Sequence, residues 1–261
     1  MSRSSALLLL RLDRFDPESG LFASFPDPPL VPLLRFAPLP TGGRQILEAI
    51  GALDENAARL PPNFRRRFPQ IYKAVETIGS GFPEGKESSL FFFLSLCSVA
   101  LQVEEADVRD TASLSSGVQV DYALFPEKDH WFIDLRTTLR SLWSYKLAEV
   151  PNAILLLSIF DSLGQSMGAF AGRCGELLET ETLRLSGDLQ ANPFLRNGLR
   201  RGLPRKFAIL EDAPASEASG KETASSAKKA IASGPSAGSG GPFCPPAAPL
   251  AKERVPERAE D

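Results

Sequence analysis

Pro151-Asn-Ala-Ile-Leu-Leu-Leu-Ser-Ile-Phe-Asp-Ser-Leu-Gly-Gln-Ser-Met-Gly-Ala-Phe-Ala-Gly-Arg-Cys-Gly-Glu-Leu-Leu178 is the stretch on which the fold turns. Within it Leu156, Phe160, Leu163, Met167, Phe170, Cys174 and Leu177 recur in alternating steps of four and three, the spacing of one buried stripe on a helix. Gly164, Gly168 and Gly172 form a second, small-residue face on the same helix. Glycine costs about 1 kcal/mol per helical position relative to alanine, so three in register imply that another helix packs closely there. The segment from Val150 to Gly172 is long enough to cross a bilayer, but Asn152, Asp161, Gln165 and three serines interrupt it. An unpaired Asp near mid-bilayer costs about 2.5–3.5 kcal/mol. The segment reads as the buried helix of a soluble protein, and no membrane span is expected.

Working outward, Trp131, Leu135, Leu139, Leu142 and Trp143 recur at helical spacing with Arg136 and Arg140 on the other side, which predicts a helix from Trp131 with Asp129 as its N-cap. Leu90 to Val103 is continuously apolar and fits a helix or a buried strand; its apolar core of about twelve residues falls short of the roughly twenty that span a membrane. Val118 to Phe125 has strand composition, and a short helix is expected from Arg44 to Leu53 after Thr41-Gly-Gly43. The first forty residues carry Phe25-Pro-Asp-Pro-Pro29 and further prolines to Pro40, which forbids a long helix and favours extended segments and turns. The run Ala6 to Leu10 is followed at once by Arg11 and Asp13 and is too short for a signal peptide. The expected fold is therefore mainly α with a few short strands: a Pro/Phe-rich segment at 1–42, a single irregular helical domain at 43–210, and a low-complexity, disordered tail at 211–261.

The chemistry is sparse. The chain of 261 residues has a net charge of -3 and one histidine, which disfavours a surface given over to nucleic acid. Cys97, Cys174 and Cys244 are widely separated, so neither a zinc site nor a disulfide framework is expected, and a reducing compartment fits. His130 lies between Asp129 and Trp131 and reads as structural. Gly79-Ser-Gly81 lacks the Lys-Ser or Lys-Thr of a phosphate loop. No catalytic residue, metal ligand or cofactor is assigned, and the chain is expected not to be an enzyme. Its restricted residue alphabet is of the kind produced when a gene shares nucleotides with a second reading frame.

Two segments carry binding expectations. In Leu60-Pro-Pro-Asn-Phe-Arg-Arg-Arg-Phe-Pro-Gln-Ile-Tyr72, Leu60, Phe64 and Phe68 stand at i, i+4 spacing and form an apolar ridge, with Pro61 fixing the helix start and Pro69 kinking or splitting the helix, which runs on to Ile78. Such a ridge suits a helix-in-groove contact with another protein. Beyond Asn192-Pro193, the cations Arg196, Arg200, Arg201, Arg205 and Lys206 precede the first acid at Glu211. That run offers the alternative of RNA binding or contact with an acidic partner; a non-enzymatic cellular helical scaffold is the other alternative.

The Leu60-Pro61 step, the aromatic-bearing helix through Tyr72, the later Gly79-Ser-Gly-Phe-Pro83, and the apolar half from Val150-Pro-Asn-Ala-Ile-Leu to Phe170-Ala-Gly-Arg-Cys174 together resemble the F-box-like RNA-silencing suppressors of poleroviruses, which are plant viruses. The resemblance covers residues 25 to 185. It departs from the family at Phe64, at Pro62 and at the triple Arg65-Arg66-Arg67. It implies a viral suppressor in the host cytoplasm or nucleus, acting as a ubiquitin-ligase adaptor in host-virus interaction. That adaptor would bind the host Skp protein of an SCF ligase through Leu60, Pro61, Phe64 and Phe68, and bring about degradation of Argonaute.

Overall fold

The structure, a computed structural model, describes residues 6–25, 30–78, 89–102 and 117–211. The strands are β1 (Leu7–Arg11), β2 (Gly20–Ser24), β3 (Val31–Phe36), β4 (Ala123–Glu127), β5 (His130–Asp134), β6 (Thr182–Ser186) and β7 (Ala208–Glu211). The helices are α1 (Gly43–Gly51), α2 (Glu55–Ala58), α3 (Leu60–Arg67), α4 (Pro69–Thr77), α5 (Ser89–Leu101), α6 (Leu135–Leu147), α7 (Asn152–Leu178) and α8 (Pro193–Gly202). The strands form one seven-stranded sheet in the order β4-β5-β3-β2-β1-β6-β7. β1 pairs antiparallel with β2, β2 with β3 and β4 with β5, whereas β1–β6, β3–β5 and β6–β7 are parallel. Five strands therefore share one direction, and β2 and β4 oppose them.

The expectation of a mainly helical fold is overturned by this mixed sheet. Its centre is the leucine run at the start of the chain. In β1 alternate side chains, Leu8 and Leu10, are fully buried while Leu7 and Leu9 are half-buried. All four are leucine, so the two-residue period of a strand is invisible in the letters. Register carries the buried face across the sheet: Leu10 lies opposite Leu21 and Leu185, Leu8 opposite Leu183, Leu21 opposite Leu34, and Phe36 opposite Ile133. The β5–β6 and β6–β7 crossovers advance across the sheet in the same sense, so right-handed connections place α6, α7 and α8 on a single face. Phe170 of α7 meets Trp131 of β5 edge-on at 6.0 Å.

The glycine reading of the long helix holds at Gly164 and Gly168, while a Cβ on Gly172 would meet the Pro204 ring at 2.6 Å, past the end of α8. A Cβ on Gly164 would lie 2.1 Å from the Leu195 carbonyl oxygen, and one on Gly168 2.6 Å from that of Leu199. The partner helix reciprocates: a Cβ on Gly198 would lie 2.0 Å from the Asp161 oxygen, and one on Gly202 2.2 Å from that of Gln165. Backbone meets backbone at these points, and no side chain fits. The helix is apolar and long enough to span a bilayer, yet 67% of its most apolar window is buried inside the fold. Leu177, placed on the buried stripe by spacing, is 85% exposed in the last turn.

Other expectations meet different fates. α1 occupies the expected place, α5 resolves the helix-or-strand ambiguity, and Pro69 splits the Leu60 helix into α3 and α4 about Phe68. The helix expected from Trp131 begins four residues later. Trp131 belongs to β5, and the N-cap is Asp134, whose carboxylate accepts from the Arg136 backbone N–H at 3.0 Å. The strand expected over Val118–Phe125 is displaced to Ala123–Glu127. The tail from 212 onward and the Gly79-to-Pro83 punctuation lie outside the described residues.

Candidate functional site: the carboxyl edge of the sheet

Where β1 and β6 end side by side, two loops meet at the carboxyl edge of the parallel strands, the position at which open α/β sheets bind ligands. One is the β1–β2 hairpin, Leu12-Asp-Arg-Phe-Asp-Pro-Glu-Ser19, and the other is Gly187 with the 3-10 turn Asp188–Ala191. Leu12 joins them, its N–H donating to the Ser186 oxygen at 2.9 Å and its carbonyl accepting from the Leu189 N–H at 3.1 Å. Gly187 has φ +96, and a Cβ there would fall 2.2 Å from the Leu12 oxygen, so this junction requires glycine.

The donors of the hairpin are committed within the chain. The Phe15 N–H donates to Asp13 Oδ1 at 2.9 Å, that of Glu18 to Asp16 Oδ1 at 2.8 Å, and that of Arg14 to Asp188 Oδ1 at 3.0 Å. The Asp13 N–H donates to Ser19 Oγ at 3.0 Å, while the buried Ser19 hydroxyl donates to the Asp13 carbonyl at 2.5 Å. The carboxylates are committed as well. Arg14 Nε pairs with Asp188, Arg11 with Asp16 at 2.8 Å, Arg35 with Glu18 at 2.5 Å, and Arg136 with Asp134 at 2.8 Å. The Asp134 hydrogen bonds hold the Arg136 guanidinium above its ordinary pKa. A loop that binds phosphate does so with free backbone N–H groups; here these groups donate to carboxylates, to the Ser19 hydroxyl and to backbone carbonyls. Among the described residues, no group of three or more His, Cys, Asp or Glu is placed to hold a metal ion.

Beside the hairpin lies an apolar cavity of about 330 Å³ between α5 and α7, walled by Phe91, Leu94, Val99, Leu156 and Phe160, with Arg14 at its margin. Phe15 packs on Phe91 with ring centroids 5.2 Å apart. Cys97 also lines the cavity, and burial pushes its thiol well above the ordinary range. Sequence reasoning missed this hairpin, although its signal was there: Asp, Pro, Ser and Gly concentrated between two short apolar runs.

The site residues expected from sequence lie elsewhere. Leu60 and Phe64 are 7% and 0% exposed, and Phe64 stacks on Trp143 of α6 at 5.2 Å and leans on Phe68 at 5.3 Å. Half-buried Phe68 also packs against the core, so the ridge faces the protein's own interior; Pro61 is half-buried at its start. In the basic segment Arg196 pairs with Glu211 at 2.7 Å, Lys206 with Glu181 at 3.0 Å, and Arg201 with Asp161. Arg200 and Arg205 are exposed. His130 starts β5 with its ring 4.7 Å from that of Phe132.

No family model matches the chain. In sequence it is 23% identical over 189 residues to Protein HydE of Wolinella succinogenes, a match covering 68% of this chain and 34% of HydE. In structure it resembles full-length HypF in a phosphate- and nucleotide-bound form, with a TM-score of 0.60, 11% identity, and coverage of 80% of this chain and 30% of HypF. HypF of T. kodakarensis gives a TM-score of 0.53 at 12% identity, over 79% and 31% of the two chains. The chain thus spans about a third of the length of these proteins. The likeness to HypF establishes an α/β fold. Together the matches, to HydE in sequence and to HypF in structure, overturn the reading as a viral silencing suppressor and F-box-like ligase adaptor directed at Argonaute; the RNA-binding and helical-scaffold alternatives gain no support either.

Proposed function

We propose that this chain serves in hydrogenase maturation as an α/β module that does not itself turn over a nucleotide. The observation that carries the maturation role is the convergence of two comparisons, a HydE match over 68% of the chain and a HypF-like fold over 80% of it. The non-enzymatic part rests on the carboxyl edge. A phosphate arriving there meets Asp13, Asp16, Glu18 and Asp188, and each hairpin N–H named above already donates within the chain. Arg11, Arg14 and Arg35 are likewise paired, with Asp16, Asp188 and Glu18, so the cations of this edge are committed within the chain as its N–H groups are. No reaction step is assigned to these residues.

The test is genetic. Deleting the gene in its own organism should abolish or sharply lower hydrogenase activity without lowering the amount of hydrogenase polypeptide, and a plasmid copy should restore it. Full hydrogenase activity in the deletion strain would contradict the proposal.

A further inference from the structure

The buried ridge of α3 and α4 leaves an outer face that the maturation role does not use. α3 begins with Pro61 and Pro62 in its first turn, and α4 begins with Pro69. Burying Leu60, Phe64, Ile71 and Val75 turns Pro62, Arg65, Arg66 and Pro69 outward. These residues, with Pro61 and Tyr72, line an open groove of about 550 Å³. Its walls are stiff, since three of the six residues are prolines with φ fixed by the ring. Its polar groups are guanidinium and phenol: the Arg65 guanidinium lies over the Tyr72 ring at 5.8 Å, and Arg66 donates to Asn63 Oδ1 at 3.2 Å.

Charge decides what the groove fits. Arg67 is paired with Glu149, and Glu76 with Arg44 at 3.4 Å. Among the described residues Arg65, Arg66 and exposed Lys73 pair with no carboxylate, and neither does exposed Arg59 just before α3. Four cations without a carboxylate partner, two lining the groove and two close to it in sequence, are a local excess in a chain whose net charge is -3. This excess distinguishes the face from the segment at 196–206, where three of five cations are already neutralised.

We infer that the outer face of α3 and α4 is a docking groove for an extended acidic segment of a partner protein. Carboxylates of the segment pair with Arg65 and Arg66, the bidentate geometry guanidinium favours, and apolar side chains between them lie on Pro61, Pro62, Pro69 and Tyr72. Prolines offer no backbone donors, so recognition runs through side chains. RNA fits the face less well. Sequence-tolerant RNA binding needs several aromatic faces for bases along a basic track, and here Tyr72 is the one ring in the groove and already carries Arg65. The inference does not depend on the maturation role.

The experiment measures fluorescence anisotropy of a fluorescein-labelled peptide, Asp-Glu-Asp-Leu-Glu-Asp-Phe-Glu-Asp-Glu, titrated with the full chain. The same peptide with every acid replaced by Lys and a labelled twenty-nucleotide oligouridylate run alongside. The acidic peptide should bind, weaken with salt, and lose at least tenfold in affinity in the Arg65→Glu, Arg66→Glu double variant. Arg200→Glu with Arg205→Glu should leave binding unchanged. Both pairs are exposed, so thermal unfolding should show each variant folded. No binding of the acidic peptide, or equal binding by the α3 double variant, would overturn the inference. Oligouridylate binding tighter than the peptide and lost in the same variant would overturn it in favour of RNA.

Discussion

Two of the joints between helices work by opposite means. Between α7 and α8 the contact is made by what is absent: Gly164 and Gly168 on one helix and Gly198 and Gly202 on the other bring backbones within reach. Between α3 and α6 the contact is made by bulk, with fully buried Phe64 stacked on fully buried Trp143. A joint without side chains fails when any atom is added. A joint of rings fails when atoms are removed. The glycine joint also has no soft end to yield, since the atoms a new Cβ would strike are carbonyl oxygens and amide nitrogens.

Substitutions at the two joints sharpen this contrast. The largest effect is expected from Gly198→Val, where a Cβ would stand 2.0 Å from the Asp161 oxygen. Separating the helices should cost above about 5 kcal/mol, beyond the usual range for a single change, and the variant should lack a cooperative thermal transition by circular dichroism. A normal transition there would break the comparison. Phe64→Ala should follow at about 3–5 kcal/mol by urea unfolding. Asn192→Ala should cost about 1 kcal/mol, because the Asn192 side chain caps α8 by accepting from the Phe194 and Leu195 N–H groups, both at 3.0 Å. Loss of a cap loosens the end of α8 without touching the glycine contact.

The smallest effect is chemical. Burial pushes the Cys174 thiol from its ordinary 9.0 up to about 11, with Arg173 opposing the shift. Its thiolate should be roughly 100-fold scarcer at pH 8 in the folded chain, so alkylation mapped by mass spectrometry should be slow at Cys174 and at Cys97 until urea is added. The sign for stability follows. A thiol whose pKa is higher folded than unfolded gives stability that is whole below about pH 9 and lost as pH climbs toward about 11. The melting temperature should therefore decline across that alkaline window, and less so in Cys174→Ser.

Helices were more legible in the letters than strands. Alternating steps of three and four in a 27-residue helix offer many coincident signals, and glycines at four-residue spacing announce a neighbour. β1 has five residues, four of them leucine, and no alternation to read. Its partners come from far along the chain: Leu8 pairs with Leu183, and no local pattern encodes that distance. The ridge of Leu60, Phe64 and Phe68 is apolar and mostly helical, as its spacing predicts, but spacing alone does not say whose interior a ridge enters; Trp143, far along the chain from Phe64, decides it. The carboxyl-edge site was hidden for the same reason, since Asp13, Arg14 and Asp188 become one network only when β1 and β6 lie side by side.

The chain has a fold similar to that of HypF, and the N–H groups of its carboxyl-edge hairpin named above donate within the chain. Isothermal titration of the full chain with ATP and with inorganic phosphate, each with magnesium present, tests directly whether that edge binds phosphate. No saturable heat is expected up to about millimolar ligand, a free energy weaker than about -4 kcal/mol. Stoichiometric micromolar binding of either ligand, abolished by a substitution in the hairpin such as Ser19→Ala, would contradict the account.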